Sequence, residues 1–225
     1  MKKPWGRAAR FLYSALIEVY DAIIPPKERA LRTKQRSLED VPLAPRNFEL
    51  LGETITVLTN YRRSEVRDLI RSLKYDGSEY AARLCAAILA DYLREEILTL
   101  RAFSPRPILL IPLPLHPTRQ RERGFNQISL VLSQLPVEMQ NGSLALLTPH
   151  ALIRARATPR QTTFSRRERI HNMKGAFLVP DHSSVAHASI FLIDDVTTTG
   201  ATLKEAAKPL RAAGASVYPI ALARA

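Results

Sequence analysis

The chain has 225 residues, 46% hydrophobic and 24% charged, a balance too apolar for a disordered tail. At roughly 150 residues per domain it implies one full domain plus a substantial further segment. Lysine and arginine number 33 against 21 acidic residues, a formal charge of +12, which favours phosphate-bearing partners. The single cysteine, Cys85, excludes an internal disulfide and a cysteine-rich metal site, so a stapled secreted scaffold and a zinc ribbon drop out and a reducing cytoplasm is the expected compartment.

The N-terminus begins basic (Lys2, Lys3, Arg7, Arg10) and turns apolar over residues 11–24, but Glu18 and Asp21 interrupt that run and no small-residue cleavage site follows. No stretch of 18 apolar residues occurs elsewhere, so no transmembrane helix is expected. Leu12, Leu16, Val19 and Ile23 form the stripe of an amphipathic helix over residues 7–24, ended by Pro25 and Pro26. Its apolar face either packs against the body of the protein or docks on a membrane surface or partner. Residues 27–50 are charged, contain proline and lack a clear period, and read as a linker or irregular subdomain. The expected division is a 1–50 extension and a 51–225 domain.

From residue 52 the pattern is regular. Residues 54–59 predict a short strand and 64–73 a helix with Val66, Leu69, Ile70 and Leu73 on one face. Residues 78–100 predict a long alanine-rich helix, 107–111 a buried strand, 124–135 a helix and 151–155 a strand. Ser165 and Glu168 have capping-box spacing. A strand over 190–193, a helix over 201–213 stopped by Gly214, and a strand over 215–223 close the chain. Alternating strands and helices imply an α/β fold with a parallel sheet.

The charge is unevenly spread. Residues 113–180 carry 10 basic and 3 acidic side chains, whereas 51–112 carry 9 and 8, and 181–225 carry 4 and 4. The excess is local, as a site would be. Directly after the strand at 190–193 come Asp194, Asp195, Val196, Thr197, Thr198, Thr199, Gly200, Ala201 and Thr202. Two acids and a threonine-rich turn thus stand where open α/β sheets bind ligands. The turn opens a helix, so backbone N–H groups and the positive helix end would face an anion, with hydroxyls as further donors. A carboxylate beside such a cradle can accept both hydroxyl hydrogens of a ribose diol, which together describes a sugar phosphate. A Walker loop is excluded because Lys204 stands four residues beyond Gly200, and a dinucleotide fingerprint because its three spaced glycines are missing. The bland alternative is a polar loop whose acids only cap the helix.

The segment FLIDDVTTTGAT resembles the phosphoribosyl diphosphate motif of type I phosphoribosyltransferases. IPLPLHPTRQRERGFNQ (111–127), RARATPRQTTFSRRERIHNMKGAF (154–177) and LIRSLKYDG (69–77) resemble segments of the ComF family of competence-associated proteins. The resemblance covers residues 60–225 and implies a type I phosphoribosyltransferase fold. It further implies that Asp194 and Asp195 hold the ribose and that residues 197–202 hold the 5′-phosphate. Residues 115–123, with Arg119, Arg121 and Arg123, would form the diphosphate loop. Residues 154–172, with Arg154, Arg156, Gln161, Arg169 and Asn172, would form a hood. Asp194, Asp195, Arg123, Arg156 and Arg169 are the residues it would assign to catalysis.

The ligand implied is phosphoribosyl diphosphate or another sugar phosphate, with magnesium; single-stranded DNA and a competence-machinery protein are the further partners implied. Family members often carry an N-terminal zinc finger with paired CxxC motifs. Here no cysteine is available for one, so zinc is not expected. His116, within the proposed diphosphate loop, would either donate to a phosphate or hold backbone geometry. His150, His171, His182 and His187 show no ligand spacing, Cys85 reads as a small core residue, and the Arg166–Arg167 pair is either hood or solvated helix face.

Overall fold

The computed structural model describes residues 26–115, 117–155 and 175–225. The expected helix over 7–24, His116 and most of the expected hood, including Arg156, Gln161, Ser165, Arg166, Arg167, Glu168, Arg169, His171 and Asn172, lie outside the described residues.

Helix α1 (Pro26–Lys34) and strand β1 (Arg46–Leu50) occupy the stretch expected to be irregular. Strand β1 pairs antiparallel with β2 (Glu53–Asn60) through a tight turn in which Leu51 and Gly52 both have positive φ. A lone edge strand of mixed polarity has no periodic signature, because only its partner defines it. Helix α2 (Ser64–Asp76) ends on Gly77 in the left-handed conformation, and α3 (Glu79–Phe103) starts on Ser78, whose hydroxyl accepts the Ala81 N–H. Strand β3 (Ile108–Pro112) follows, then short helices α4 (Pro117–Arg123) and α5 (Gln127–Leu132). Two-residue strands β4 (Leu146–Leu147), β5 (Ile153–Arg154) and β6 (Phe177–Leu178) precede β7 (Ser189–Thr197), α6 (Ala201–Ala212) and β8 (Ser216–Arg224).

The main sheet runs β1-β2-β8-β7-β3-β4, parallel throughout except at the β1 edge. One core lies between the sheet and α2, α3 and α5, with Leu110, Phe191, Ile193 and Leu222 pointing into it. The other lies beneath α6, with Leu109, Ile190, Leu192 and Leu203. This is an α/β fold with helices on both faces. Strand β3 leads through α4 and α5 towards β4 at one edge, whereas its neighbour β7 leads through α6 to β8 in the opposite direction. Neighbouring strands whose connections diverge leave a crevice outside their carboxyl ends, the usual ligand position in such sheets.

Candidate functional site

The carboxyl ends of β3 and β7 carry the chemistry. Strand β7 does not stop at 193: β8 supplies partners as far as Arg224, so Asp194 pairs with Ala221 and Thr197 with Arg224. Both acids therefore stand on a strand, and the expected turn shrinks to residues 198–200. Strand alternation then separates the acids, sending Asp194 the way of Ile190 and Leu192 and Asp195 the way of Phe191 and Ile193.

Asp195 is only 4% exposed. Lys74 Nζ, from the last turn of α2, lies 3.1 Å from its Oδ1, and Gln127 Nε2 donates to its Oδ2. Arg123 Nη1 in turn donates to the Gln127 side-chain Oε1 at 3.0 Å, and its guanidinium lies 5.5 Å from the Tyr75 ring centre. Asp194 is half-buried, and its Oδ1 accepts the Asp195 N–H at 2.8 Å. Burial first, and then the Asp195 charge, push the Asp194 carboxyl up to about 7, against the pull of Lys74, the Asp195 N–H and Arg119. Arg154 sits near the same acid, 5.4 Å from the Phe177 ring centre. Burial, then repulsion from Arg119, draws its guanidinium down to about 10, with Asp194 opposing.

The cradle is built on Gly200, which precedes α6 with φ 78°. A Cβ there would lie 2.7 Å from Ile55 Cδ1 and 2.8 Å from Leu50 Cβ, so only glycine lets the turn lie against β1 and β2. Thr199 Oγ1 accepts the Ala201 N–H at 3.4 Å, and the first turn of α6 holds no acidic residue, leaving its positive end uncompensated there. Thr198 is exposed, Thr199 and Thr202 are half-buried, and Thr197 and Ala201 are buried.

The structure thus gathers Asp194, the 198–202 turn, Arg119 and Arg154 at one crevice. Arg119 and Arg121 are exposed on α4, whereas Arg123 is committed to Tyr75 and Gln127. Residues 117–123, expected as loop, form a helix because Pro117 pre-sets the first turn and Arg, Gln and Glu favour its continuation. Lys74 and Gln127 were not singled out from the sequence, although both lie within the segments that carry the family resemblance. The available signal was a lysine one residue beyond the apolar face of α2. Cys85, buried beside this network, has its thiol pushed up to about 12 by burial and by the Asp195 charge, which makes it unreactive. His150, His182 and His187 are exposed. Among the described residues, no three His, Cys, Asp or Glu side chains gather to hold a metal ion, and no helix is long and apolar enough to cross a membrane.

A mostly parallel, doubly wound sheet whose strand ends in an acid pair and a threonine-rich turn opening a helix is the α/β architecture that the resemblance to type I phosphoribosyltransferases implies. No protein-family model matches the chain. Competence protein F of Haemophilus influenzae is 33% identical over 159 residues, covering 70% of this chain and 67% of that protein. The DNA utilization protein YhgH of Escherichia coli K12 is 31% identical, covering 68% and 63%, and the competence protein ComFC of Bacillus subtilis is 32% identical, covering 55% and 48%. The chain belongs to the ComF family of competence proteins, and it spans between about half and two thirds of the length of these relatives. Among solved structures, the orotate phosphoribosyltransferase of Mycobacterium tuberculosis in complex with Fe(III) dicitrate aligns with a TM-score of 0.35 at 10% identity, covering 89% of this chain and 97% of that one.

Proposed function

We propose that the crevice binds phosphoribosyl diphosphate with magnesium and that the protein acts in the cytoplasm as a phosphoribosyltransferase. The observation that carries this reading is Asp194 at the end of β7, beside the uncompensated N-terminus of α6 and on the side of Arg119 and Arg154. The α6 N–H groups with Thr198, Thr199 and Thr202 would hold the 5′-phosphate, and Asp194 would accept hydrogens from the ribose diol. Arg119 and Arg121 would face the diphosphate. In the reaction the bond from ribose C1 to the diphosphate oxygen breaks with its electron pair leaving on oxygen, while a nucleophile's lone pair closes on C1. Preorganised arginines would stabilise the charge that gathers on the departing group. Magnesium bound with the ligand would supply further neutralisation of that charge.

A second reading draws on the relatives' names, which speak of competence and DNA utilization, and on the exposed Arg119 and Arg121 of α4. In it the basic surface binds single-stranded DNA or a competence-machinery protein. Calorimetric titration with phosphoribosyl diphosphate plus magnesium, and separately with single-stranded DNA, tests both. A small-molecule site gives saturable binding that competes with any DNA binding. A DNA groove gives affinity that falls with salt at a log–log slope of about 0.7 per neutralised phosphate, and which the small molecule does not displace.

A further inference from the structure

The neighbouring acids of β7 meet different surroundings. Asp195 has each carboxylate oxygen occupied from within, Oδ1 by Lys74 and Oδ2 by Gln127. At 4% exposure its remaining lone pairs have no approach for a sugar. Arg123 holds Gln127 and lies over Tyr75, the residue after Lys74, so five side chains close a ring from the end of α2 through the α4–α5 junction to β7. The two segments also abut directly, since a Cβ on Gly77 would stand 3.2 Å from the Phe125 ring. Asp194, one residue away, is half-buried and opens towards Arg119 and Arg154.

Resting on the phosphoribosyl reading, we propose that Asp194 alone holds the ribose diol, and that Lys74 and Gln127 are positioning residues that keep Asp195 turned inward so that the end of β7 presents Asp194 to the ligand. A buried carboxylate keeps its place only while a counter-charge and hydrogen bonds answer it. Without Lys74, the charge of Asp195 would lose its counter-ion, and its repulsion, with the pull of Lys74 gone, would fall on Asp194. The charged groups facing Asp194 are Asp195 from β7, Lys74 from α2, Arg119 from α4 and Arg154 from β5, so exchanging one member of the Lys74–Asp195 pair alters the field at the ligand-facing acid while exchanging both restores it.

Titration with phosphoribosyl diphosphate plus magnesium separates the roles. Asp194→Asn is expected to weaken binding about a hundredfold or more, as befits two charge-assisted hydrogen bonds. Lys74→Met is expected to weaken it about tenfold, the scale of one unanswered buried charge felt at the site. The double variant Lys74→Met with Asp195→Asn, which is neutral and retains an acceptor for Gln127, recovers to within about threefold of the parent. A double variant as weak as Asp194→Asn would mean that Asp195 itself touches the sugar, and would overturn the proposal. Carbon-13 titration of the Asp194 carboxyl without ligand is the second measurement. Lys74→Met should raise its midpoint and Asp195→Asn should lower it, opposite movements that a merely structural role would not produce; unmoved midpoints overturn the positioning role. Should the parent fail to bind phosphoribosyl diphosphate, the ligand reading falls, and the carboxyl titration still decides the part played by Lys74.

Discussion

The two ends of the sheet handle charge in opposite ways. At the amino end, pairing of β2 with β8 begins only at Thr56 and Ile220, and Pro219, with no N–H to donate, stands at the fork. The fork opens a recess of about 500 Å³ lined by Glu53, Thr54, Thr56, Tyr92, Arg211 and Tyr218 among others. Its buried acid is answered from inside the protein: Arg211 donates to both oxygens of Glu53, at 2.9 Å to Oε2, and also to the Val217 carbonyl at 3.3 Å. At the carboxyl end Asp194 forms no ion pair within 4.0 Å among the described residues, and the helix end beside it has no acid in its first turn. At the amino end the buried Glu53 is answered from within, and the crevice has hydrogen-bonding capacity left for a ligand.

The largest effect is expected from Asp194→Asn. With two charge-assisted hydrogen bonds lost to the sugar, about 3–6 kcal/mol of ligand binding should disappear in calorimetry with the fold intact. Unchanged affinity would remove the crevice from consideration. Next comes Gly200→Ala, which meets both the left-handed backbone and the Leu50 and Ile55 contacts. It should cost about 2–4 kcal/mol in denaturant unfolding and displace the α6 N–H groups as well, and a neutral result would mean the turn has another conformation.

At the other end, Arg211→Met should lower stability by about 1–3 kcal/mol, less than a fully buried pair because the guanidinium is partly solvated. Ligand affinity should stay unchanged, and a matching loss of affinity would show that the two ends are coupled. The smallest effect concerns pH. The Asp194 carboxyl is raised from 3.8 to about 7 in the folded protein, so between those values the folded state binds more protons than the unfolded state and stability falls as pH rises. The full shift corresponds to about 4 kcal/mol, and screening by water at the half-buried carboxyl reduces the expected loss across that window to on the order of 1–2 kcal/mol. Thermal unfolding of Asp194→Asn should lack this component, and identical pH profiles for the two proteins would place the carboxyl elsewhere.

Much of the fold was legible because its signals are local. The apolar runs at 108–112 and 190–193, the face of α2 and the glycines closing α2 and α6 reveal themselves within a few residues. The acids and the threonine-rich turn were legible for the same reason, since strand, turn and helix N-terminus adjoin in sequence. What escaped depends on pairing and packing partners that no local period announces. Residues 46–50 are a strand because β2 accepts them, and 194–197 continue a strand because β8 is long enough to pair with them. Arg123 reads in the sequence as one more arginine of a phosphate loop, and only the fold sets Tyr75 and Gln127 beside it.

The sequence alone was enough for an α/β chain with an acid pair and a threonine-rich turn at a strand end, because hydrophobic period and turn chemistry act between near neighbours. Only the tertiary structure decided that the two acids differ. Strand alternation turns one towards Lys74 and Gln127 and the other towards the crevice, and burial then separates their chemistry. A carboxylate's role follows from which charges and how much water surround it, and those neighbours come from residues up to 121 positions away, the span from Lys74 to Asp195.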